Sequence, residues 1–159
     1  MEFYMRKSSL LVTRPNYDLT TRFISAWAES VIDFAKKQAN SLFDLVGEKA
    51  RRNIFESMIR KHNPDIVFLN GHGGEKLVTG QDEEIIIESG VNDNLLKDRI
   101  TYALSCKSAK VLGVESVKNG ATAYIGYKDD FIFHRDSRRR EAGSKVNHSQ
   151  RLRVFPVSA

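Results

Sequence analysis

The sequence predicts an α/β fold with a mostly parallel central sheet, and three observations support this class. Short apolar segments alternate along the chain with amphipathic segments of helical periodicity. The segment DIVFLNGHGG over residues 65–74 contains four consecutive apolar residues, as in a strand buried on both faces of a parallel sheet. The chain has 159 residues, 41% hydrophobic and 28% charged, which suits a single globular domain with a substantial core.

The first strand and the first helix are predicted near the start of the chain. Residues 8–14 (SSLLVTR) read as a short strand, and the turn that follows ends at Asp18, which can cap a helix. Helical periodicity then extends over residues 20–38. We expect its buried face to consist of the large apolar residues Phe23, Trp27, Val31 and Phe34.

The middle of the chain predicts a second strand over residues 42–46 and a second helix over residues 50–62, which Asn63-Pro64 ends. The apolar run of residues 66–69 then forms a buried strand. Residues 76–88 are expected to form a small hairpin or excursion from the sheet.

The last third of the folded part predicts one turn of helix over residues 93–97 and a strand over residues 100–105 (ITYALS). A helix is expected over residues 108–119, which Gly120 closes. A further strand, ATAYIGY, covers residues 121–127.

The positive charge of the chain is concentrated at its C-terminal end. Residues 134–159 hold seven basic and two acidic side chains, which accounts for the whole net charge of +5. They show little apolar periodicity, so we divide the chain into a core of residues 1–133 and a basic, poorly patterned tail of residues 134–159. Because the core is neutral, its charge does not favour a nucleic acid partner.

The sequence also carries information on the surroundings of the protein. It contains no apolar run near the ~20 residues of a membrane helix, so no membrane partner is expected. Cys106 is the only cysteine, which excludes an internal disulfide and favours a reducing, cytoplasmic location.

Two potentially reactive side chains, His72 and Cys106, each follow an apolar strand. Carboxyl ends of parallel strands meet at one edge of the sheet, where α/β proteins bind ligands. A thiolate attacks carbonyl groups, and an imidazole can accept the thiol proton and pass it to a leaving amine. We also expect the amides of Gly73 and Cys106 to point at a developing oxyanion, and the predicted helix after Cys106 to favour its thiolate.

Simpler interpretations exist for both residues. A lone cysteine at a strand end is commonly a small buried hydrophobic residue, and a histidine in a glycine-rich turn is commonly a spacer. A metal site built from His72 and Glu75 lacks a third ligand, so we expect neither a metal nor another cofactor.

The order of these motifs resembles the caspase-like cysteine peptidases, which include caspases, gingipains, clostripain, separase and CHAT-type peptidases. The resemblance rests on an apolar strand followed by NGHGG, a strand followed by SC, a helix, and GATAYIGY. It covers about residues 64–130 and is closest to the CHAT and gingipain types. Over residues 8–62 only the order of strands and helices agrees.

The resemblance implies a three-layer sandwich and a set of functional residues. His72 matches the catalytic histidine, Cys106 the nucleophile, and Gly73 the glycine whose amide helps to form the oxyanion hole. Asp129 or Asp130 stands where related peptidases carry an acidic residue that receives a basic P1 side chain, so cleavage of a peptide or protein substrate after Arg or Lys is expected.

The chain departs from the family pattern after this strand, where FIFHRDSRRR begins. Family domains continue there with a further strand and helices, so we expect a sheet that is incomplete at its C-terminal edge. Activity would then depend on an activating partner, a homodimer or a longer parent protein. The alternative hypotheses are a catalytically silent caspase-like module that binds partners, and a metal- or nucleotide-dependent hydrolase on a similar sheet.

Overall fold

The computed structural model describes residues 8–39 and 41–130. The predicted tail of residues 134–159 and the end of the predicted core lie outside this range. The helices and strands, in chain order, are β1 Ser9–Arg14, α1 Leu19–Gln38, β2 Ser41–Val46, α2 Arg52–His62, β3 Ile66–Asn70, β4 Gly73–Gly74, β5 Leu77–Thr79, β6 Ile85–Glu88, β7 Ile100–Leu104, α3 Leu112–Lys118 and β8 Ala123–Ile125.

The main sheet has five strands in the order β2-β1-β3-β7-β8, and every neighbouring pair is parallel. The predicted α/β class with a parallel sheet is therefore confirmed. All five strands end at the same edge, so the loops that follow β1, β3 and β7 lie close to one another.

A second, antiparallel sheet of β4, β5 and β6 extends from the end of β3. It corresponds to the excursion predicted over residues 76–88. The predicted helical turn near residue 93 is a 3₁₀ turn over Asp93–Leu96.

The main sheet lies between two layers, which is compatible with a three-layer sandwich. One face packs against α1 through a core of eight buried residues: Leu10, Val12, Ile24, Ala28, Ile32, Ala35, Phe68 and Leu104. The other face packs against α2, α3 and the small sheet through a larger core that includes Phe55, Ile59, Val78, Ile86 and Leu112. No helix within the described ranges is long and apolar enough to cross a membrane.

The predicted buried face of α1 is wrong, although the helix itself is confirmed. The residues that face the sheet are smaller on average: Ile24, Ala28, Ile32 and Ala35. The large residues Phe23, Trp27, Val31 and Phe34 are exposed by 44%, 36%, 39% and 67%. Two apolar stripes share the helix, and the stripe with smaller side chains lets the helix backbone approach the sheet closely.

Candidate active site

The two potentially reactive residues follow neighbouring strands in matching positions. β3 and β7 pair in parallel, and Asn70 at the end of β3 lies opposite Leu104 at the end of β7. His72 and Cys106 therefore each stand two residues beyond an aligned pair, at the carboxyl edge of the sheet.

Gly73 joins the two strand ends through close packing. A Cβ atom built on Gly73 would lie 2.0 Å from Ser105 Oγ, 2.4 Å from the carbonyl oxygen of Cys106 and 3.1 Å from its nitrogen. No side chain fits in that space. The absence of a side chain at Gly73 therefore allows its backbone to approach the end of β7 closely.

The ladder between β4 and β5 sets the direction of the Gly73 amide. The amide of Thr79 donates to the carbonyl oxygen of His72 at 2.9 Å, which makes these two residues a hydrogen-bonded pair. The next pair, Gly73 and Val78, is then a non-hydrogen-bonded pair of the antiparallel ladder. The N–H of Gly73 consequently points away from β5.

Asp18 is a member of this site that the sequence analysis missed, because there it was interpreted only as a helix cap. Its Oδ2 lies 2.6 Å from Nε2 of His72. Its Oδ1 caps α1 by accepting hydrogen bonds from the amide and the hydroxyl of Thr21, both at 2.7 Å. The available signal was positional, since Asp18 lies in the loop after β1 and β1 ends at the same sheet edge as β3.

The surroundings of Asp18 favour its ionised form. Partial burial raises the pKa of the carboxyl group, but hydrogen bonds from the Thr21 amide, the His72 ring and the Thr21 hydroxyl outweigh burial and lower the pKa below its ordinary value of 3.8. A carboxylate only accepts hydrogen bonds, so Nε2 of His72 is the donor in this contact.

The contact with Asp18 also determines the role of the second ring nitrogen. In neutral His72 the proton sits on Nε2, which leaves the lone pair on Nδ1 for accepting a proton. The ring of Tyr17 packs edge-on against the imidazole, with centroids 6.2 Å apart, and helps to hold its orientation.

Cys106 is half-buried, and it does not stand at the start of a helix as we expected. The helix predicted over residues 108–119 begins only at Leu112, because earlier amides bond to other segments. Those of Lys107 and Ala109 donate to the carbonyl oxygens of Asp129 and Tyr127, at 3.1 and 3.0 Å. A helix dipole acts over about one turn, so α3, which begins at Leu112, does not favour the Cys106 thiolate as we expected.

The acidic pair after β8 is exposed. The carboxylate of Asp130 forms an ion pair of 3.1 Å with Nζ of Lys107, and the side chain of Asp130 is 62% exposed. The loop that carries Asp129 is attached to the Cys106 loop through the Lys107 amide. Neither aspartate is buried as a pocket for a guanidinium group would require.

Glu75, which we considered as a metal ligand together with His72, forms an ion pair with a lysine. Its carboxylate forms an ion pair with Lys110 at 2.5 Å, which lowers the pKa of Glu75 through the hydrogen bond and the charge of the lysine. In the part of the chain that the structure describes, no three His, Cys, Asp or Glu side chains form a group that could hold a metal ion.

Comparison of the chain with protein-family models, with curated proteins and with solved structures gives no match. The structure defines an α/β protein with a five-stranded parallel sheet and helices on both of its faces. At the carboxyl edge of the sheet His72 contacts Asp18, and Cys106 follows the strand next to the one before His72.

Proposed function

We propose that the chain is a caspase-like cysteine peptidase core. The observation that carries the proposal is the aligned pairing of β3 with β7, which sets His72 and Cys106 at equivalent positions beyond neighbouring strands. The contact between His72 and Asp18 supports it, because it orients the imidazole and leaves one nitrogen as a base.

The reaction proceeds through an acyl-enzyme. Nδ1 of His72 takes the thiol proton of Cys106, and the thiolate forms a bond to the scissile carbonyl carbon. The amides of Gly73 and Cys106 stabilise the oxyanion, and the imidazolium then protonates the leaving amine as the C–N bond breaks. Water, deprotonated by His72, attacks the thioester and releases the acid and the free thiol.

Asp18 acts in this scheme as a positioning residue. It holds the tautomer and the orientation of His72 and stabilises the imidazolium while the proton is on the ring. Because α1 fixes Asp18 through its cap, the position of the base depends on the N-terminal end of that helix.

Specificity for Arg or Lys at P1 is part of the proposal, on the basis of Asp129 and Asp130. Because both are exposed and Asp130 is paired with Lys107, the preference should be small. An exposed ion pair contributes about 0–1 kcal/mol, which corresponds to no more than about a fivefold preference over a neutral residue. Cleavage rates of a fluorogenic peptide panel, measured on the parent and on Asp130→Asn, test this expectation.

The proposed function is tested by covalent labelling with a peptidyl acyloxymethyl ketone that carries Arg at P1. We expect one equivalent on Cys106 of the parent, by mass spectrometry, and a labelling rate lower by about 10² in His72→Ala because the base is lost. His62→Ala is the matched control. His62 stacks on Phe43 at the C-terminal end of α2, just before β3 begins, and should leave the rate unchanged.

A different outcome would favour the catalytically silent module. If the peptidyl reagent labels Cys106 no faster in the parent than in His72→Ala, while iodoacetamide labels both, then the thiol is accessible but not activated. The peptidase proposal would then be rejected.

A further inference from the structure

A buried glutamine ties the loop that carries Asp18 to the small sheet. Gln81 lies in the turn that follows β5 and is 6% exposed. Its Oε1 accepts a hydrogen bond from the amide of Asn16 at 3.0 Å, across 65 positions of the chain. Buried polar side chains are retained where their hydrogen bonds are satisfied, so this contact is a specific link between the two loops.

Gln81 is itself held by the loop that follows β2. Its amide donates to the carbonyl oxygen of Ala50 at 2.8 Å, and its Nε2 donates to Oε1 of Glu48 at 3.4 Å. Gly80 permits this close approach, because a Cβ atom there would lie 2.1 Å from the carbonyl oxygen of Ala50. Both the backbone and the side chain of Gln81 are therefore fixed where the side chain meets Asn16.

These contacts complete a closed ring that passes through His72. The carbonyl oxygen of His72 accepts hydrogen bonds from the amide of Thr79 at 2.9 Å and from its hydroxyl at 3.3 Å. Two residues after Thr79, the side chain of Gln81 holds the amide of Asn16. Two residues after Asn16, the carboxylate of Asp18 returns to Nε2 of His72 at 2.6 Å. The ring therefore fixes the backbone and the imidazole of His72 in one frame.

The cap of α1 holds Asp18 relative to the helix, but the contact with His72 also requires that the loop before the helix stay in place. Helix ends fray, and loops are the more mobile segments of a fold. A shift of ~1 Å in a catalytic group is enough to slow a reaction. The link from Gln81 acts two residues before Asp18 and limits such a shift.

We propose that Gln81 is a positioning residue, which holds the loop of residues 15–18 so that Asp18 meets Nε2 of His72. The lone pair of the ring then stays on Nδ1. This inference rests on the proposed function, in which Nδ1 is the base. Because Gln81 acts through Asp18, its loss cannot slow the reaction more than loss of the Asp18 carboxylate does.

The tautomer of His72 gives a readout that does not require activity. In the full chain with isotope-labelled histidine, nuclear magnetic resonance distinguishes the two nitrogens of the neutral ring, and His72→Ala assigns the signals. We expect a protonated Nε2 and an unprotonated Nδ1 in the parent. Gln81→Met has a similar volume but lacks the amide oxygen. The two nitrogen shifts should move toward each other in this variant, because the second tautomer becomes populated.

Labelling of Cys106 by the peptidyl reagent gives the second readout. We expect Gln81→Met to slow labelling by about three- to tenfold, which does not exceed the effect of about tenfold expected for Asp18→Asn. Two changes that act on the same contact are not additive. The double variant Asp18→Asn/Gln81→Met should therefore label no more slowly than Asp18→Asn alone.

Two controls separate positioning from a general loss of stability. Asp82→Asn alters the next residue of the same turn, where it removes an exposed charge that pairs with Arg51 and keeps a side chain that tolerates positive φ. Ile32→Ala destabilises the core under α1. Both should keep the tautomer and the labelling rate of the parent. Gln81→Asn, which is one methylene shorter, serves if Gln81→Met does not fold.

The inference is overturned if Nδ1 carries the proton in the parent, or if Gln81→Met leaves the tautomer unchanged. It is also overturned if either control shifts the tautomer as much, or if the double variant shows the full product of the two single effects. These results leave the proposed function in place as long as labelling of Cys106 depends on His72. If labelling does not depend on His72, the proposed function is rejected, and the role of Gln81 in positioning a base is rejected with it.

Discussion

Gly73 is the residue whose packing most directly joins the two halves of the candidate site, and its neighbour Gly74 provides a control. An alanine at 73 would place Cβ 2.0 Å from Ser105 Oγ and 2.4 Å from the Cys106 carbonyl oxygen, whereas at 74 the nearest atom is Leu77 Cγ at 3.7 Å. We expect Gly73→Ala to displace the end of β7 and to lower the free energy of unfolding by about 1–3 kcal/mol.

The measurement is a urea unfolding curve of each variant, together with the rate of labelling of Cys106. Gly74→Ala should retain both properties of the parent. If Gly73→Ala also retains both, the close packing of Gly73 on Cys106 does not exist in solution.

Asp18 can be tested by a change that retains its cap and removes its charge. Asparagine is also a favourable N-cap residue, so Asp18→Asn should leave α1 intact. Because the charge-assisted contact to His72 is lost, we expect labelling of Cys106 to slow by about tenfold, or about 1.4 kcal/mol. A Thr21→Ala variant, which removes one hydrogen bond of the cap but retains the charge of Asp18 and its contact with His72, is the comparison, and an equal loss there would assign the effect to the helix.

The lowered pKa of Asp18 also gives a dependence of stability on pH. The ionised form is favoured in the folded state, so its stabilising contribution is present above the ordinary value of 3.8 and is lost as pH falls through the lower folded value. The difference in urea midpoint between the parent and Asp18→Asn should therefore shrink below about pH 3.8. A difference that stays constant down to pH 2 would contradict this expectation.

The sequence was sufficient to predict which strands precede His72 and Cys106, because apolar runs and glycine-rich turns are local signals. It could not assign Asp18 to the site. That assignment depends on β1 lying beside β3, and only the folded sheet shows that pairing.

At the scale of single elements, α1 shows where local patterns become ambiguous. Both of its stripes have helical spacing, and the larger side chains of Phe23, Trp27 and Phe34 favoured the wrong one. The choice is made by the sheet, against which Ala28 and Ala35 pack at close distance. The predicted extent of the third helix failed for a related reason, since contacts with the loop after β8 replace its first turn.

The two faces of α1 can be compared by replacing two adjacent β-branched residues, one on each face, with alanine. Ile32 is 3% exposed and Val31 is 39% exposed. We expect Ile32→Ala to lower the free energy of unfolding by about 2–4 kcal/mol because it leaves a cavity. Val31→Ala should change it by less than about 1 kcal/mol, as measured by urea unfolding. A larger loss at Val31 would mean that the second stripe is already buried in the isolated protein.

At the scale of the whole molecule, the strand order explains why the candidate site lies where it does. The chain runs from β1 outward to β2 and then returns to β3 on the other side of β1. Loops that leave two neighbouring strands in opposite directions open a crevice at their carboxyl ends. Asp18 and His72 follow these two strands, and their 2.6 Å contact spans the crevice.

The division of the chain into a core of residues 1–133 and a tail of residues 134–159 is the prediction that belongs to this largest scale. The tail lies outside the described residues, and its sequence carries the whole net charge of +5. A segment with few apolar residues buries little surface, so its removal should leave the free energy of unfolding within about 0.5 kcal/mol. The slope of the urea transition should also remain unchanged, because this slope scales with the surface that unfolding exposes.

The comparison is between the full chain and residues 1–133 at two salt concentrations, since removing the charge alters long-range repulsion at low salt. Loss of cooperative unfolding in the shortened chain, or a clearly smaller slope, would show that the tail packs on the core.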